Sequence, residues 1–211
     1  LWHLIPGAHY TRPFALDPNR RTYELIDFHA DHWHFDTGKS WTQSRSGAAD
    51  SYGGGHAHSG AMIYQGDNWP AAYRGRFFTL NFHGRRANQE ILRRDGSGFV
   101  ASHEKDLFIA KDPWFRGMEL GTGPDGGVFV LDWSDTGECH EHTGVHRRSG
   151  RIFKIRNSRA KPAIETRDVS SWSLNDLVNT HAEKNDWFTR QARLELARRR
   201  SCRSAPRRRR C

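Results

Sequence analysis

Residues 117–135 read GMELGTGPDGGVFVLDWSD, and the fold of the chain turns on them. Pro124 fixes φ at a corner, Asp125 offers a side-chain acceptor to the backbone just ahead, and Gly126 admits a positive φ. The segment GPDGG therefore predicts a tight hairpin. The run Val128, Phe129, Val130, Leu131 after it is β-branched and aromatic, as a strand requires. Gly117 and Gly121 would let the strand before the turn pack closely against a neighbour.

The same order of signals occurs upstream. Residues 60–82, GAMIYQGDNWPAAYRGRFFTLNF, then HGRRANQEILRR and, after DGSG, FVASHEKDLFIAKD give four strand-like runs separated by turn residues. After residue 117 come the hairpin, a loop rich in His and acids, GRIFKIR (150–156) and AIETRDVSS (163–171). The two units start at Gly60 and Gly117, 57 residues apart, and each predicts a four-stranded sheet. Such repeats point to propeller blades. Residues 1–55 predict a less regular blade with a long loop. The fold expected is mainly β: a partial β-propeller of about two to three four-stranded blades over 1–170, the C-terminal part of a longer one.

The periodicity changes after residue 172. Ser173 followed by Asp176 predicts a capping box, with Leu174, Leu177 and Val178 on one helical face. A second helix is expected from Asn185 or Asp186, its stripe made by Phe188, Ala192 and Leu196 and widened by Trp187 and Leu194. Residues 171–198 thus predict a short α-helical pair that opens a solenoid. Residues 199–211 are expected to be a disordered arginine-rich tail, low in complexity in the way a shifted reading frame would produce.

Net charge is +9, but eight arginines lie in residues 198–211 without a single acid, so residues 1–197 carry about +1. The body is not a basic domain, and no specific nucleic-acid partner is expected. The chain is 36% hydrophobic and 12% aromatic, enough for a core, with no run long enough for a transmembrane segment and no signal peptide at its start. Three cysteines make no disulfide framework, and the absence of CxxCH excludes covalent haem on this sequence.

Three loops concentrate polar chemistry. In GGGHAHSG, His56 and His58 lie two apart on one strand face, where they would share a metal, flank a substrate hydroxyl, or simply bond to backbone. The stretch HADHWH, residues 29–34, is read with the same alternatives. In DPWFRGMEL, Arg116 at the start of an inner strand would bind a carboxylate, stabilise an oxyanion, or make a structural ion pair. In DWSDTGECHEHTGVH, residues 132–146, the donors include Asp132, Asp135, Glu138, Cys139, His140, Glu141, His142 and His146. Acids with carbonyls suit Ca²⁺, and Cys139 with His140 suits a softer metal. The metal set singled out is Asp132, Asp135, Glu138 and His140.

On these strings, above all residues 53–78, 112–140 and 146–155, the chain resembles the propeller region of the large membrane-associated dehydrogenases of planctomycetes, the haem-binding-domain proteins. Their propeller, of the six-bladed type, is similar to that of soluble PQQ-dependent glucose and sorbosone dehydrogenases. The stretch LVNTHAEKNDWFTRQARLEL resembles the HEAT-type pair that follows it. The resemblance implies oxidation of a sugar or related alcohol, with electrons leaving through a cytochrome c domain, the only place for haem c, of a longer parent chain. It also implies a periplasmic or cell-surface location. Arg116 matches an arginine that contacts the quinone, whereas Trp114 stands where a second such arginine is expected and His83 where a lysine is. The resemblance carries over no catalytic residue, since the family's histidine and Ca²⁺ loop lie in earlier blades. The alternative is a non-catalytic propeller that binds carbohydrate or protein.

Overall fold

The computed structural model describes residues 6–7, 58–82, 84–96, 98–137, 144–160 and 168–204, so nearly all of the expected first blade and the run 163–167 lie outside the described residues. Among the described residues the chain is mainly β, with antiparallel pairing and two α-helices. The strands are β1 (His58–Ile63), β2 (Phe77–Asn81), β3 (Arg86–Asp95), β4 (Gly98–His103), β5 (Phe108–Ile109), β6 (Gly117–Thr122), β7 (Val128–Asp132) and β8 (Arg151–Ile155). One sheet has the order β1-β2-β3-β4, with β5 also on β3; the other has the order β6-β7-β8.

The first sheet is a four-strand meander, because β4 and β5 are two halves of one outer strand. β4 follows β3 from Asp95↔Gly98 to Glu90↔His103, and β5 resumes at Ala87↔Phe108 and Arg86↔Ile109. Residues 104–107 loop out between them, held by the N–H of Glu104 to the Gln89 carbonyl and of Leu107 to the Ala87 carbonyl, both 2.9 Å. The Glu104 carboxylate takes the Gln89 amide and the Arg76 guanidinium.

Period two decides the two faces of β2 and β3. Phe78 opposes Gln89 and Leu80 opposes Ala87 on one side; Thr79 opposes Asn88 and Asn81 opposes Arg86 on the other. Both sides are buried. The polar side is paired: Asp106 accepts from Asn88 (2.8 Å) and Arg86 (3.0 Å), and Asn81 accepts from the Gly84 amide (2.7 Å). On the apolar side the backbone of Gly117 comes so near that a Cβ there would lie 2.9 Å from the Phe115 ring and 3.0 Å from Leu80. Gly117 is therefore the close approach expected, whereas a Cβ on Gly121 would meet open space.

The described residues divide into two compact units, one holding 58–62, 75–82, 84–96, 98–119, 131–137 and 144–151, the other 63–74, 120–130, 152–160 and 168–204. The second unit contains the predicted hairpin. Gly126 has φ +72°, its N–H reaches the Gly123 carbonyl, Gly123 donates to Gly127, and Asp125 accepts from the Gly127 amide. Tyr64, fully buried, anchors this turn. Its hydroxyl donates to the Gly126 carbonyl (2.8 Å) and accepts from the amides of Asn68 (3.1 Å) and Trp69 (2.8 Å), while its ring stacks on Trp69 at 4.6 Å. Burial pushes the Tyr64 phenol up.

In the same unit lie α1 (Leu174–Asn179) and α2 (Asp186–Ser204). The capping box is present: Asp176 N–H donates to Ser173 Oγ, and Ser173 N–H to the Asp176 carboxylate. Trp172, Leu177 and Ala192 form the core, with Val169, Phe188 and Leu196 against it. Leu174, Val178 and Leu194 are exposed instead of joining the stripe. Leu194 is 200° round the helix from Ala192 and Val178 is 100° on from Leu177, so neither shares its neighbour's direction. The run 163–171 ends in a 3₁₀ turn, Val169–Ser171, capped by Asp168. Helix α2 continues past residue 198, the expected end of the helical pair, because Glu195 binds both Arg198 and Arg199 and Arg199 also donates to the carbonyls of Ser170 and Trp172. Those two guanidinium groups pull the Glu195 carboxyl down to about 2.

Candidate functional site

Four of the residues singled out by sequence, Trp114, Arg116, Asp132 and Asp135, come together where the chain enters β6 and leaves β7. Backbone pairing continues beyond the strands, with Trp133 N–H on the Arg116 carbonyl and Asp135 N–H on the Trp114 carbonyl, both 2.9 Å. Asp132 and Asp135 are thereby fixed opposite the segment 114–116.

Arg116 is 2% exposed. Its guanidinium donates through Nε to Gly137 O (3.2 Å), through Nη1 to Pro113 O (2.8 Å) and Phe115 O (2.9 Å), and through Nη2 to Thr136 O (3.3 Å). It also lies over the Phe82 ring. Five donors in a rigid fork suit such a task, and here they tie two loops together.

Asp132 is equally committed. Oδ1 accepts the amides of Arg116 (2.7 Å) and Ser134 (2.8 Å), while Oδ2 takes Nε and Nη2 of Arg151, each at 2.7 Å. Arg151 reaches on to Asp112 (2.6 Å), which also accepts the Trp114 amide. That amide, followed by the Arg151 guanidinium, holds the Asp112 carboxyl below the usual carboxylate range. Ser134 adopts φ +56°, a conformation costly for a residue with a Cβ, and the turn is held by the Asp132 carboxylate and by Ser149 Oγ on the Ser134 carbonyl.

Asp135 pairs with His146. Oδ1 accepts the Thr136 amide (2.7 Å), the Gly137 amide (3.3 Å) and His146 Nδ1 (2.8 Å); Oδ2 accepts the His146 amide (3.0 Å). Burial would raise this carboxyl, but the imidazole and three amides outweigh it, and Asp135 stays ionised far below the ordinary range. His146 is raised, first by the Asp135 hydrogen bond. Nδ1 also faces the Gly144 carbonyl at 2.9 Å, so both of its partners are acceptors. The proton of the neutral ring therefore resides on Nδ1, and Nε2 is left as a base. The imidazole is 41% exposed and lies 4.5 Å from the Trp114 ring. In the sequence His146 is one of many donors in its loop, and no local spacing marks it as the partner of a carboxylate eleven residues away.

His58 lies in a different network, with Nε2 3.1 Å from Asn88 Oδ1 and 3.3 Å from Asn81 Nδ2. His56, His83, Glu138 and His140 fall outside the described residues. Among the described residues no group of three or more His, Cys, Asp or Glu side chains assembles that could hold a metal ion. The oxygens of Asp132 and Asp135 are filled by N–H donors, so the described part of the expected set does not fit Ca²⁺. PQQ fits no better here: it presents carboxylates, and the donors of Arg116 are taken by carbonyls while Trp114 carries no charge. No described helix is long and apolar enough to cross a membrane.

Comparison with known proteins places the chain in a family whose function is open. The model of the family described as "Domain of unknown function (DUF7133)" matches residues 9–161, and the chain belongs to that family. No curated protein matches the chain. Among solved structures, a Thermus thermophilus protein provisionally described as an oxidoreductase (glucose dehydrogenase) is similar at 14% identity with a TM-score of 0.42. The match covers 73% of this chain and 35% of that one, so the chain spans about a third of that protein's length.

Proposed function

We propose that this chain is a piece of a sugar-dehydrogenase-type β-propeller, and that the whole protein oxidises a hydroxyl of an aldose or related alcohol and passes the electrons to a cytochrome. The observation that carries the reading is the repeat: a four-strand meander, β1 to β4/β5, followed in the chain by a second meander in the same order, β6-β7-β8. Described parts of the unusual strings 53–78 and 112–140, which resemble the planctomycete dehydrogenases, lie on these meanders, in β1, β2, β6 and β7. Loops at strand ends are where such scaffolds place their chemistry, and Trp114, Asp135 and His146 are on them.

The residues of this chain do not hold the quinone at Arg116. Their part is to bind and orient: Asp135 fixes the His146 tautomer, and the Arg116 and Arg151 clusters hold the two loops rigid around it. A second reading, a non-catalytic propeller that binds carbohydrate, is favoured by the commitment of Arg116, Asp132 and Asp135 to the protein itself. Dye-linked oxidation of a panel of aldoses by the whole gene product, with PQQ and Ca²⁺ added, separates the two. Turnover supports the dehydrogenase; sugar binding without turnover across the panel leaves the second reading.

A further inference from the structure

We propose that His146 and Trp114 form a binding site for a pyranose ring, in which a sugar hydroxyl donates to His146 Nε2 and a C–H face of the ring rests on the Trp114 indole. The inference rests on the saccharide ligand common to both readings above, and it holds whether or not the whole protein turns that ligand over.

Asp135 and Gly144 hold the His146 imidazole from one side. Both partners of Nδ1 are acceptors, Asp135 Oδ1 at 2.8 Å and Gly144 O at 2.9 Å. A neutral ring so held has its lone pair on Nε2, and among the described residues nothing donates to it. The ring is 41% exposed, so this is an acceptor offered to solvent in a fixed direction. A buried structural histidine would have its second nitrogen satisfied within the protein.

The surroundings select the class of ligand. Trp114, only partly buried and 4.5 Å from the imidazole, supplies a flat apolar surface whose indole N–H has no partner among the described residues. A ligand with an apolar face and O–H groups at its edge answers both features, and this is the chemistry of a sugar ring. Asp112, 41% exposed and joined to Trp114 through its backbone amide, adds an acceptor for a further hydroxyl. The guanidinium groups of Arg116 and Arg151 are occupied by carbonyls and carboxylates, so the cluster is not built around an anion. Arg147 and Arg148 follow His146 and are exposed, which makes a neutral and an acidic sugar two sources of the same ring chemistry.

The test is an imidazole ¹⁵N correlation spectrum of the labelled 211-residue chain, recorded at a pH where His146 is neutral, with D-glucose and D-glucuronate titrated separately. The expected result is a saturable movement of the His146 Nε2 resonance with at least one of them. In Trp114→Ala, binding of that sugar should weaken about tenfold, the effect of one ring contact of this kind. Movement with glucuronate alone that survives in Arg147→Ala/Arg148→Ala still supports the site, since it places recognition on the ring. An Nε2 resonance unmoved by either sugar overturns the proposal without the need for any variant. So does a sugar affinity that is unchanged in both Trp114→Ala and His146→Ala.

Discussion

Replacing Tyr64 by Phe removes one oxygen and leaves the ring, so it isolates the hydroxyl that holds the 123–127 turn. That oxygen serves three backbone groups, the Gly126 carbonyl and the amides of Asn68 and Trp69, at 2.8, 3.1 and 2.8 Å. Tyr64 is fully buried, and a Cβ on Gly66 would already collide with its ring, so there is little room for a water to replace the oxygen. Each buried group left unpaired costs about 1–3 kcal/mol, and with partial relaxation the three together should cost about 3 kcal/mol. At a urea slope of about 2–3 kcal/mol per molar, the unfolding midpoint should fall by about 1 M with little change in slope. Tryptophan fluorescence is the natural probe, because Trp69 stacks on the ring that is kept. Gly126→Ala strikes the same junction from the other side: φ is +72° and the new Cβ would lie 2.6 Å from the Asn68 nitrogen. The double variant should therefore lose less than the sum of the two single losses. A midpoint within about 0.2 M of the wild type for Tyr64→Phe, at unchanged slope, would refute the reasoning.

His146 should titrate above its ordinary value of about 6.5, because Asp135 favours its charged form in the folded state. Its contribution to stability is then complete below that value and fades as pH rises through the raised one; an NMR titration should show this, and Asp135→Asn should bring the pKa back down. Asp135 behaves oppositely, its contribution present above about pH 4 and lost as pH falls towards its depressed value. Gly117→Ala should destabilise by about 1–3 kcal/mol through overlap with Phe115 and Leu80, whereas Gly121→Ala should be nearly neutral; equal melting temperatures for the two would contradict the packing described. Ser173→Ala should cost about 1 kcal/mol and speed amide exchange in α1, since it removes one half of the capping box. Unchanged exchange there would show that packing alone holds the helix.

Local chemistry made the hairpin and the helix start legible. Pro124, Asp125 and Gly126 act on bonds within three residues of one another, and so do Ser173 and Asp176. Helix faces were harder: Leu177 is buried while Val178 beside it is exposed, a choice made by where Trp172 and Ala192 lie. The two glycines of β6 look alike in sequence, and only Phe115 and Leu80 across from Gly117 distinguish it. The candidate site was half legible. Sequence picked out Asp132 and Asp135 from a loop with more donors than a turn needs, Arg116 at the start of an inner strand and Trp114 through the family resemblance, and the fold does gather them. Their partners are Arg151, nineteen residues on from Asp132, His146, eleven on from Asp135, and a set of backbone carbonyls around Arg116. Such pairings depend on chain reversal, and no spacing rule encodes them.

The looped-out stretch 104–107 in the outer strand sets an arithmetic for change. Unbroken pairing from Glu90↔His103 would bring Ala87 opposite Asp106, yet Ala87 faces Phe108, so the outer strand carries two residues more than the strand it follows. Two is an even number, and side chains alternate with period two, so Phe108 still meets the ring of Phe115 at 5.6 Å. Lengthening or trimming this loop in pairs keeps every later side chain of the strand on its own side of the sheet. A single-residue deletion would turn Phe108 outward and Ile109 inward, and the penalty for one residue should exceed that for two.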